Sequence, residues 1–327
     1  MNGSIYEEVN REFNSLKEKK KNEYAERVNK VYEKVPEIMQ LDESVSALVF
    51  EMFKKAASGE DCDSAVESFA EKLRQMKERK NELLVQNGFK PDYLNEVYNC
   101  KKCNDTGIYK EKQCDCYKKL VTKHLLENSN LSAQLKEQTF SKFDITLYSN
   151  RKSGGEDSPR AQMTEILSKC KKFAATFPSG EHILFYGGSG LGKTFMSSAI
   201  ANEVIRKGNT VFYQTSADIF ATLDDIKFGR GDEKSKNIVE QIYDADLLII
   251  DDLGTEFINA NTDAELFRII NSRIMNRKSI IISTNLGLTN IKKTYTERIF
   301  SRIMGNFKIY KFAGNDIRCK NYDGEDD

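Results

Sequence analysis

Ile183-Leu184-Phe185-Tyr186-Gly187-Gly188-Ser189-Gly190-Leu191-Gly192-Lys193-Thr194 decides how the rest of the chain is read. The first four residues are apolar and suit a short buried strand. A glycine-rich turn follows, and Lys193-Thr194 opens an amphipathic helix. The stretch fits G-x-x-x-x-G-K-[ST], the phosphate-binding loop. Glycines let backbone N–H groups turn inward and meet phosphate oxygens with no Cβ in the way. The helix start adds unsatisfied N–H donors and a partial positive charge. In such a loop Gly187 to Thr194 wrap the phosphates, Lys193 reaches the β and γ groups, and the Thr194 hydroxyl ligates Mg²⁺. The strand before and the helix after separate this motif from a glycine turn without a ligand.

Further along, Ala245-Asp246-Leu247-Leu248-Ile249-Ile250-Asp251-Asp252 reads as a buried strand ending in two carboxylates. In phosphate-loop enzymes an acid there holds Mg²⁺, directly or through water, and that role falls to Asp251. Asp252 is then the general base that polarises the attacking water, although a glutamate is more usual at that place. A plain strand-terminal turn, Asp-Asp-Leu-Gly, is the alternative. Ser279-Ile-Ile-Ile-Ser-Thr-Asn285 is another apolar strand with a polar end. Asn285, or its neighbour Thr284, would orient the water or contact the γ-phosphate; a capping asparagine is the bland alternative. Arg298 and Arg302 lie one helical turn apart and so on one face. An arginine offered to a neighbouring subunit's phosphate stabilises transition-state charge, whereas two arginines on a helix are otherwise a solvated face. Arg318 comes late enough to close over the nucleotide within its own chain.

The stretch from Pro159 onward alternates strands and helices. Strands are expected at 183–186, 210–214, 247–251, 279–283 and 308–312, and helices at 194–206, 217–227, 264–276 and 296–304. Strands separated by helices predict a parallel sheet covered on both faces, an α/β fold.

Upstream, residues 4–34 carry Ile5, Val9, Phe13, Leu16 and Tyr24 near helical spacing, and Pro36 ends the run. Val45, Leu48, Val49, Met52 and Phe53 form a second periodic stretch. Phe69, Leu73, Met76 and Leu84 form a third, which Asn87-Gly88 stops. The first hundred residues therefore predict a small helical bundle, either a partner-docking module or a purely structural arm. Next comes Cys100-Lys-Lys-Cys103 with Cys114-Asp-Cys116, a C-x2-C-x10-C-x-C spacing. Two close thiolate pairs joined by a short loop can close a tetrahedral Zn²⁺ shell, which makes the zinc structural. The Asp105-Thr106-Gly107 turn lies just past the first pair. An iron–sulfur cluster or four ordinary thiols are the alternatives, and His124 is a possible substitute ligand. Cys62, Cys170 and Cys319 are isolated and expected to be packing residues. The boundaries expected are a helical region at 1–98, a zinc-binding segment at 99–130, a linker at 131–158 and an ATPase domain at 159–327.

The chain has 327 residues, enough for two domains at about 100–200 residues each. Lys+Arg and Asp+Glu are equal at 50 each, so a uniformly basic nucleic-acid binder is excluded, while a local basic groove is not. No apolar run is long enough to span a bilayer, and the polar, acidic start is no signal peptide. A cytoplasmic protein without membrane partners is expected, in which cysteines stay reduced or bind metal. The acidic end, 322–327, carries no readable motif and is expected to be disordered.

Together these residues resemble the AAA+ ATPases of the bacterial DnaC/DnaI-type helicase loaders, a family close to the IstB transposition ATPases. The likeness covers nearly the whole chain. Gly88-Phe-Lys-Pro-Asp-Tyr-Leu94 followed by the four cysteines is similar to the zinc-bearing N-terminal domain of such loaders. Gln138-Thr-Phe-Ser-Lys-Phe-Asp144 resembles the lead into the ATPase core. Leu248 to Gly254 with Glu256 matches the Walker B strand, and Ile282-Ser-Thr-Asn285 matches sensor 1. By the same matching Arg298 and Arg302 sit in the arginine-finger helix, and Arg318 falls at sensor 2. The resemblance implies ATP, Mg²⁺ and Zn²⁺ as cofactors. It also implies a hexameric replicative helicase bound through the N-terminal region, self-oligomers built through the ATPase module, and single-stranded DNA as partner. A helical insertion that contacts DNA would fall near 215–240, where Lys227-Phe-Gly-Arg230 and Lys234-Ser-Lys236 offer cations and one aromatic; a solvated loop is the alternative. Members that serve phages or transposition act on other partners.

Overall fold

The computed structural model describes residues 2–57, 63–152 and 157–318. Cys62, Cys319, the loop residues 153–156 and the acidic end 322–327 lie outside them. The chain divides into two compact units: residues 10–117, and the residues up to Val9 taken with those from Lys118 onward.

In the first unit, α1 (Asn2–Lys34) runs into α2 (Pro36–Ala57), and α3 (Asp63–Gln86) follows. Pro36 both stops α1 and starts α2, because a first helical turn has no need of its missing N–H. Val31, Val35, Ile38, Leu83 and Leu84 make the core, with Leu41, Phe89 and Tyr93 against it. The helical period places Phe53 with the buried residues, yet Phe53 is 70% and Phe50 73% exposed. Along this stretch α2 packs on α3, and these two rings lie outside that contact. A short hairpin of β1 (Ile108–Tyr109) and β2 (Lys112–Gln113) follows, and α4 (Asp115–Asn128) leaves it.

In the second unit Ile5 and Val9 of α1 and Val121 and Leu125 of α4 are buried. That burial draws the division to Tyr117/Lys118, upstream of the linker expected at 131–158. The stretch expected as a linker is also anchored. After α5 (Ala133–Lys136), Asn202 Nδ2 donates to the carbonyls of Leu135 at 3.0 Å and Gln138 at 2.8 Å. Then α6 (Pro159–Thr176), β3 (His182–Gly187), α7 (Lys193–Arg206), β4 (Val211–Thr215) and α8 (Ser216–Lys227) alternate. They continue through α9 (Glu233–Asp244), β5 (Leu247–Leu253), α10 (Ala260–Met275), β6 (Ser279–Thr284), α11 (Leu288–Thr294), α12 (Glu297–Asn306) and β7 (Phe307–Phe312).

The strands β4-β5-β6-β3-β7 form one parallel sheet in that order. Both faces are covered. Leu184, Phe212, Leu248, Ile250, Ile280 and Ile282 join one cluster with Ile219, Ile242, Leu266, Ile270, Ile299 and Ile303 of the helices. The alternate residues Ile183, Phe185, Tyr213, Ile249 and Ile281 are equally buried on the other face. This is why the strands read as unbroken apolar runs. The region near 215–240 is two helices, and Asp232 caps the second by accepting from the Ser235 N–H at 2.8 Å. Lys234 and Lys236 therefore sit on α9 and not on a loop. No helix of the described residues is long and apolar enough to cross a membrane.

Candidate functional site

The phosphate-binding loop leaves the end of β3 and closes at Gly192, which caps α7 with φ 87°. Two of its glycines are forced by neighbours. A Cβ on Gly187 would stand 2.2 Å from the Phe312 carbonyl oxygen, and one on Gly190 would stand 1.8 Å from the Asp316 carboxylate. Lys193 is buried and donates to the carbonyls of Gly187 at 2.9 Å and Gly188 at 2.6 Å, and to Asn285 Oδ1 at 2.7 Å. Burial lowers its pKa, against the pull of Asp252 and Asp251.

The Thr194 hydroxyl donates to Asp251 Oδ2 at 3.0 Å, so the two residues expected to hold a divalent ion already meet. Asp251 has two further donors, neither singled out in the sequence. Tyr213 OH donates to Oδ2 at 2.7 Å, and Ser283 Oγ donates to Oδ1. Asp252 follows at φ 55°, a left-handed conformation that aspartate tolerates better than most residues. The ladder with β6 slips here: Ile250 pairs with Ile282 but Leu253 pairs with Thr284, so Asp251 and Asp252 together oppose Ser283. This bulge re-aims the second carboxylate. Burial first, and the neighbouring charge of Asp251 second, raise the Asp252 pKa, the direction that suits a general base. Asn285, not Thr284, reaches the loop. Thr284 Oγ1 is spent on the Leu253 carbonyl at 2.6 Å. Glu256 is buried, accepting from the Gly254 N–H at 2.8 Å and from Tyr295 OH.

Arg318 comes to the loop within the chain. Its Nη2 donates to Ser189 Oγ at 2.7 Å and to Asp316 Oδ2 at 2.9 Å, while the Ile317 N–H donates to the Gly190 carbonyl at 3.1 Å. Arg298 and Arg302 are not gathered with these groups. Both are exposed on α12, whose Ile299 and Ile303 face inward, and Arg302 lies 6.0 Å over the Phe267 ring. An aromatic group that sequence spacing does not reveal borders the loop. Phe143 stacks on Tyr148 with centroids 6.0 Å apart and meets Phe195 edge-on at 5.5 Å, and Tyr148 OH donates to the Leu191 carbonyl at 2.8 Å. Near 215–240, Arg230 lies 5.5 Å over the exposed Phe228 ring, and its Nε donates to Asp225 at 3.0 Å.

In the other unit the four cysteines converge. The sulfurs of Cys100, Cys103, Cys114 and Cys116 all lie within 4.8 Å of one another. Cys100 and Cys114 are 3.8 Å apart, and Cys103 and Cys116 are 3.5 Å apart. A tetrahedron with Zn–S of about 2.3 Å has edges of roughly 3.8 Å, so the set fits zinc. The knuckle turns through Asn104, Asp105 and Gly107, all at positive φ. Asp105 holds it, accepting from the Cys100 N–H at 2.8 Å and the Asn99 N–H at 2.9 Å. Backbone N–H groups of Cys103 and Lys102 lower the Cys100 pKa, while burial and the neighbouring thiols raise that of Cys116. His124 is not among these ligands; its Nδ1 lies 3.8 Å from Glu8.

Comparison with known proteins agrees with the geometry. Residues 165–323 match the family model described as IstB-like ATP binding protein. The uncharacterized protein YdaV of Escherichia coli is 26% identical over 193 residues, 58% of this chain and 71% of YdaV. The replicative helicase loader DnaC of Escherichia coli is 26% identical over 142 residues, 43% of this chain and 58% of DnaC. The crystal structure of the DnaC helicase loader superposes with a TM-score of 0.46 at 20% identity, covering 56% of this chain and all of that one (100%). That of DnaI gives 0.45 at 19%, covering 56% and 94%. The glycine loop, Lys193, Thr194 and the paired carboxylates lie on one edge of a parallel five-stranded sheet, the arrangement of a phosphate-loop nucleotide-binding fold. Residues 165–323 of this chain are thus similar to the IstB-like ATP binding proteins.

Proposed function

We propose that the chain is an ATP-dependent loader that binds a hexameric replicative helicase and helps place it on single-stranded DNA. The observation that carries this is the gathering of Lys193, Thr194, Asp251, Asp252, Asn285 and Arg318 around one phosphate-binding loop, in a chain whose relatives include the helicase loader DnaC. ATP is held by Gly187 to Thr194, and Mg²⁺ by Thr194 with Asp251. Asp252 acts as base and Asn285 orients the water. The apolar wall of Phe143, Tyr148 and Phe195 flanks the base. Arg298 and Arg302, exposed on α12, serve the nucleotide of a neighbouring copy, so hydrolysis depends on self-oligomers and acts as an assembly switch. Lys227, Phe228 and Arg230 supply cations and an aromatic for a single strand. The protein works in the cytoplasm.

Unit 10–117 carries zinc and engages the helicase, and the exposed Phe50 and Phe53 of α2 give it an apolar anchor. The test is light scattering after size exclusion, with the same organism's replicative helicase, with and without ATP and Mg²⁺. A co-eluting complex is expected, and a Phe50→Ala/Phe53→Ala chain should lose it while still binding ATP. Point changes are preferable to removing residues 1–128, since Ile5, Val9, Val121 and Leu125 are buried in the ATPase unit. Absence of a complex under every nucleotide condition would move the partner to a transposition or phage-replication protein. The IstB-like family match favours that second reading.

Zinc has its own readout. Native mass spectrometry should find one zinc ion per chain, and Cys103→Ser should lose it, because four ligands close the shell. Unit 10–117 should then melt earlier by circular dichroism, since metal affinity is folding free energy here. An iron absorption band, or a metal-free chain of unchanged stability, would count against zinc.

A further inference from the structure

Asp251 accepts three side-chain hydrogen bonds, and two of them come from outside the phosphate-binding loop and its helix. Tyr213 stands on β4, the strand beside β5, and is buried at 4% exposure. Its hydroxyl reaches Asp251 Oδ2, the same oxygen that Thr194 donates to. Its own backbone is pinned on the far side. The Tyr213 N–H donates to the Ser129 carbonyl at 3.1 Å, and Asn130 Nδ2 donates to the Tyr213 carbonyl at 3.1 Å. The phenol therefore has little freedom to follow the carboxylate; the carboxylate must follow it.

We propose that Tyr213 is a positioning residue for the divalent ion: it orients Asp251 towards the metal without being a ligand. This rests on the nucleotide reading above. Against a carboxylate that only accepts, the phenol is the donor of the pair. A neutral phenol is a poor ligand for Mg²⁺, whereas Thr194 and Asp251 supply the oxygens that this ion takes. Donors behind a metal ligand set its orientation, and their loss costs about 10–100-fold in metal affinity or activity. Ser283 shares the task on Oδ1, but it also accepts from the Asp252 N–H at 3.0 Å, so its removal would disturb two groups at once. Tyr213 has the cleaner role.

The experiment uses the full chain, ATP, and Mn²⁺ as a probe whose bound fraction is read by electron paramagnetic resonance. Tyr213→Phe removes one oxygen and keeps the ring. Affinity for ATP in the presence of EDTA should stay within about twofold, and the Mn²⁺ concentration for half-saturation should rise about tenfold. In an Asp251→Asn background the same change should add nothing, because the path to the metal is already cut. A Mn²⁺ midpoint unmoved by Tyr213→Phe overturns the inference. So does an equal loss of ATP binding with and without metal, the mark of a merely structural tyrosine. A wild-type chain that takes up no ATP overturns the nucleotide reading and this inference with it. Normal ATP uptake by wild type beside an unmoved midpoint overturns the inference alone.

Discussion

Lys193→Ala is expected to cut ATP hydrolysis by about 10²–10³-fold, the cost of losing one preorganised donor aimed at developing charge. The structure shows why the effect should be large. The ammonium is buried and its three hydrogen bonds go to the carbonyls of Gly187 and Gly188 and to Asn285, none of them a charged partner. Burial already disfavours its charge, as its lowered pKa records. An incoming phosphate offers that charge a better partner than two carbonyls do. The same logic predicts that the variant keeps its fold. Removing a charge held in low dielectric without a direct counter-ion relieves a desolvation cost. Phosphate release should therefore fall while the melting temperature holds or rises. Hydrolysis at the wild-type rate would remove Lys193 from the mechanism.

Arg273→Met is expected to lower stability by about 3–5 kcal/mol, because it leaves several buried carbonyls without a donor at about 1–3 kcal/mol each. Arg273 is fully buried, and its guanidinium donates to carbonyls alone, chiefly those of Ile242 at 2.9 Å, Ala245 at 2.9 Å, Asp246 at 3.3 Å and Ser279 at 2.6 Å. Two of these lie in the last turn and cap of α9, where a helix leaves carbonyls without partners and its dipole is negative. The fork thus closes the end of α9 and stitches it to the starts of β5 and β6. Burial pulls its pKa down to about 9. Methionine matches much of the volume but offers no donor, and each orphaned buried acceptor costs about 1–3 kcal/mol. For a domain of this size the melting temperature should drop by roughly 10 °C. A shift under about 2 °C would show that water takes over the orphaned carbonyls. ATP binding well below the transition should survive, which separates this residue from Lys193.

Much of the site was legible because its parts are local. A strand, a glycine turn and a lysine lie together in the chain, and so do two cysteine pairs. Asp251 and Asn285 were readable as polar ends of apolar runs, since a parallel sheet sets such ends on one edge. Tyr213 and Ser283 were not. Their link to Asp251 depends on the alignment of β4 and β6 with β5, Thr215 opposite Asp251 and Leu253 opposite Thr284, which no single segment encodes. Arg273 was hidden for a different reason. On α10 it looks like any polar residue of a solvated face, and only the path of α9 past it makes it internal. Two adjacent aspartates also do not by themselves share a site, because neighbours on a regular strand point to opposite faces. The bulge at Asp252 is what unites them. Phe53 failed in the other direction, since periodicity tells which residues could be covered and not whether a neighbour is there to do so.

The corner at Ser129 and Asn130 has a consequence for how copies of this chain tolerate one another. A sheet ends in strands with unpaired backbone groups, and such strands invite pairing with a neighbour's. On β4 the N–H and carbonyl of Tyr213 are already taken by that corner, so the midpoint of the strand offers no template. The opposite end is guarded by charge, with Lys311 exposed on β7 and Lys308 beside it paired with Glu181. The two margins are blunted by different chemistry, one by occupancy and one by repulsion. High salt would weaken the second far more than the first.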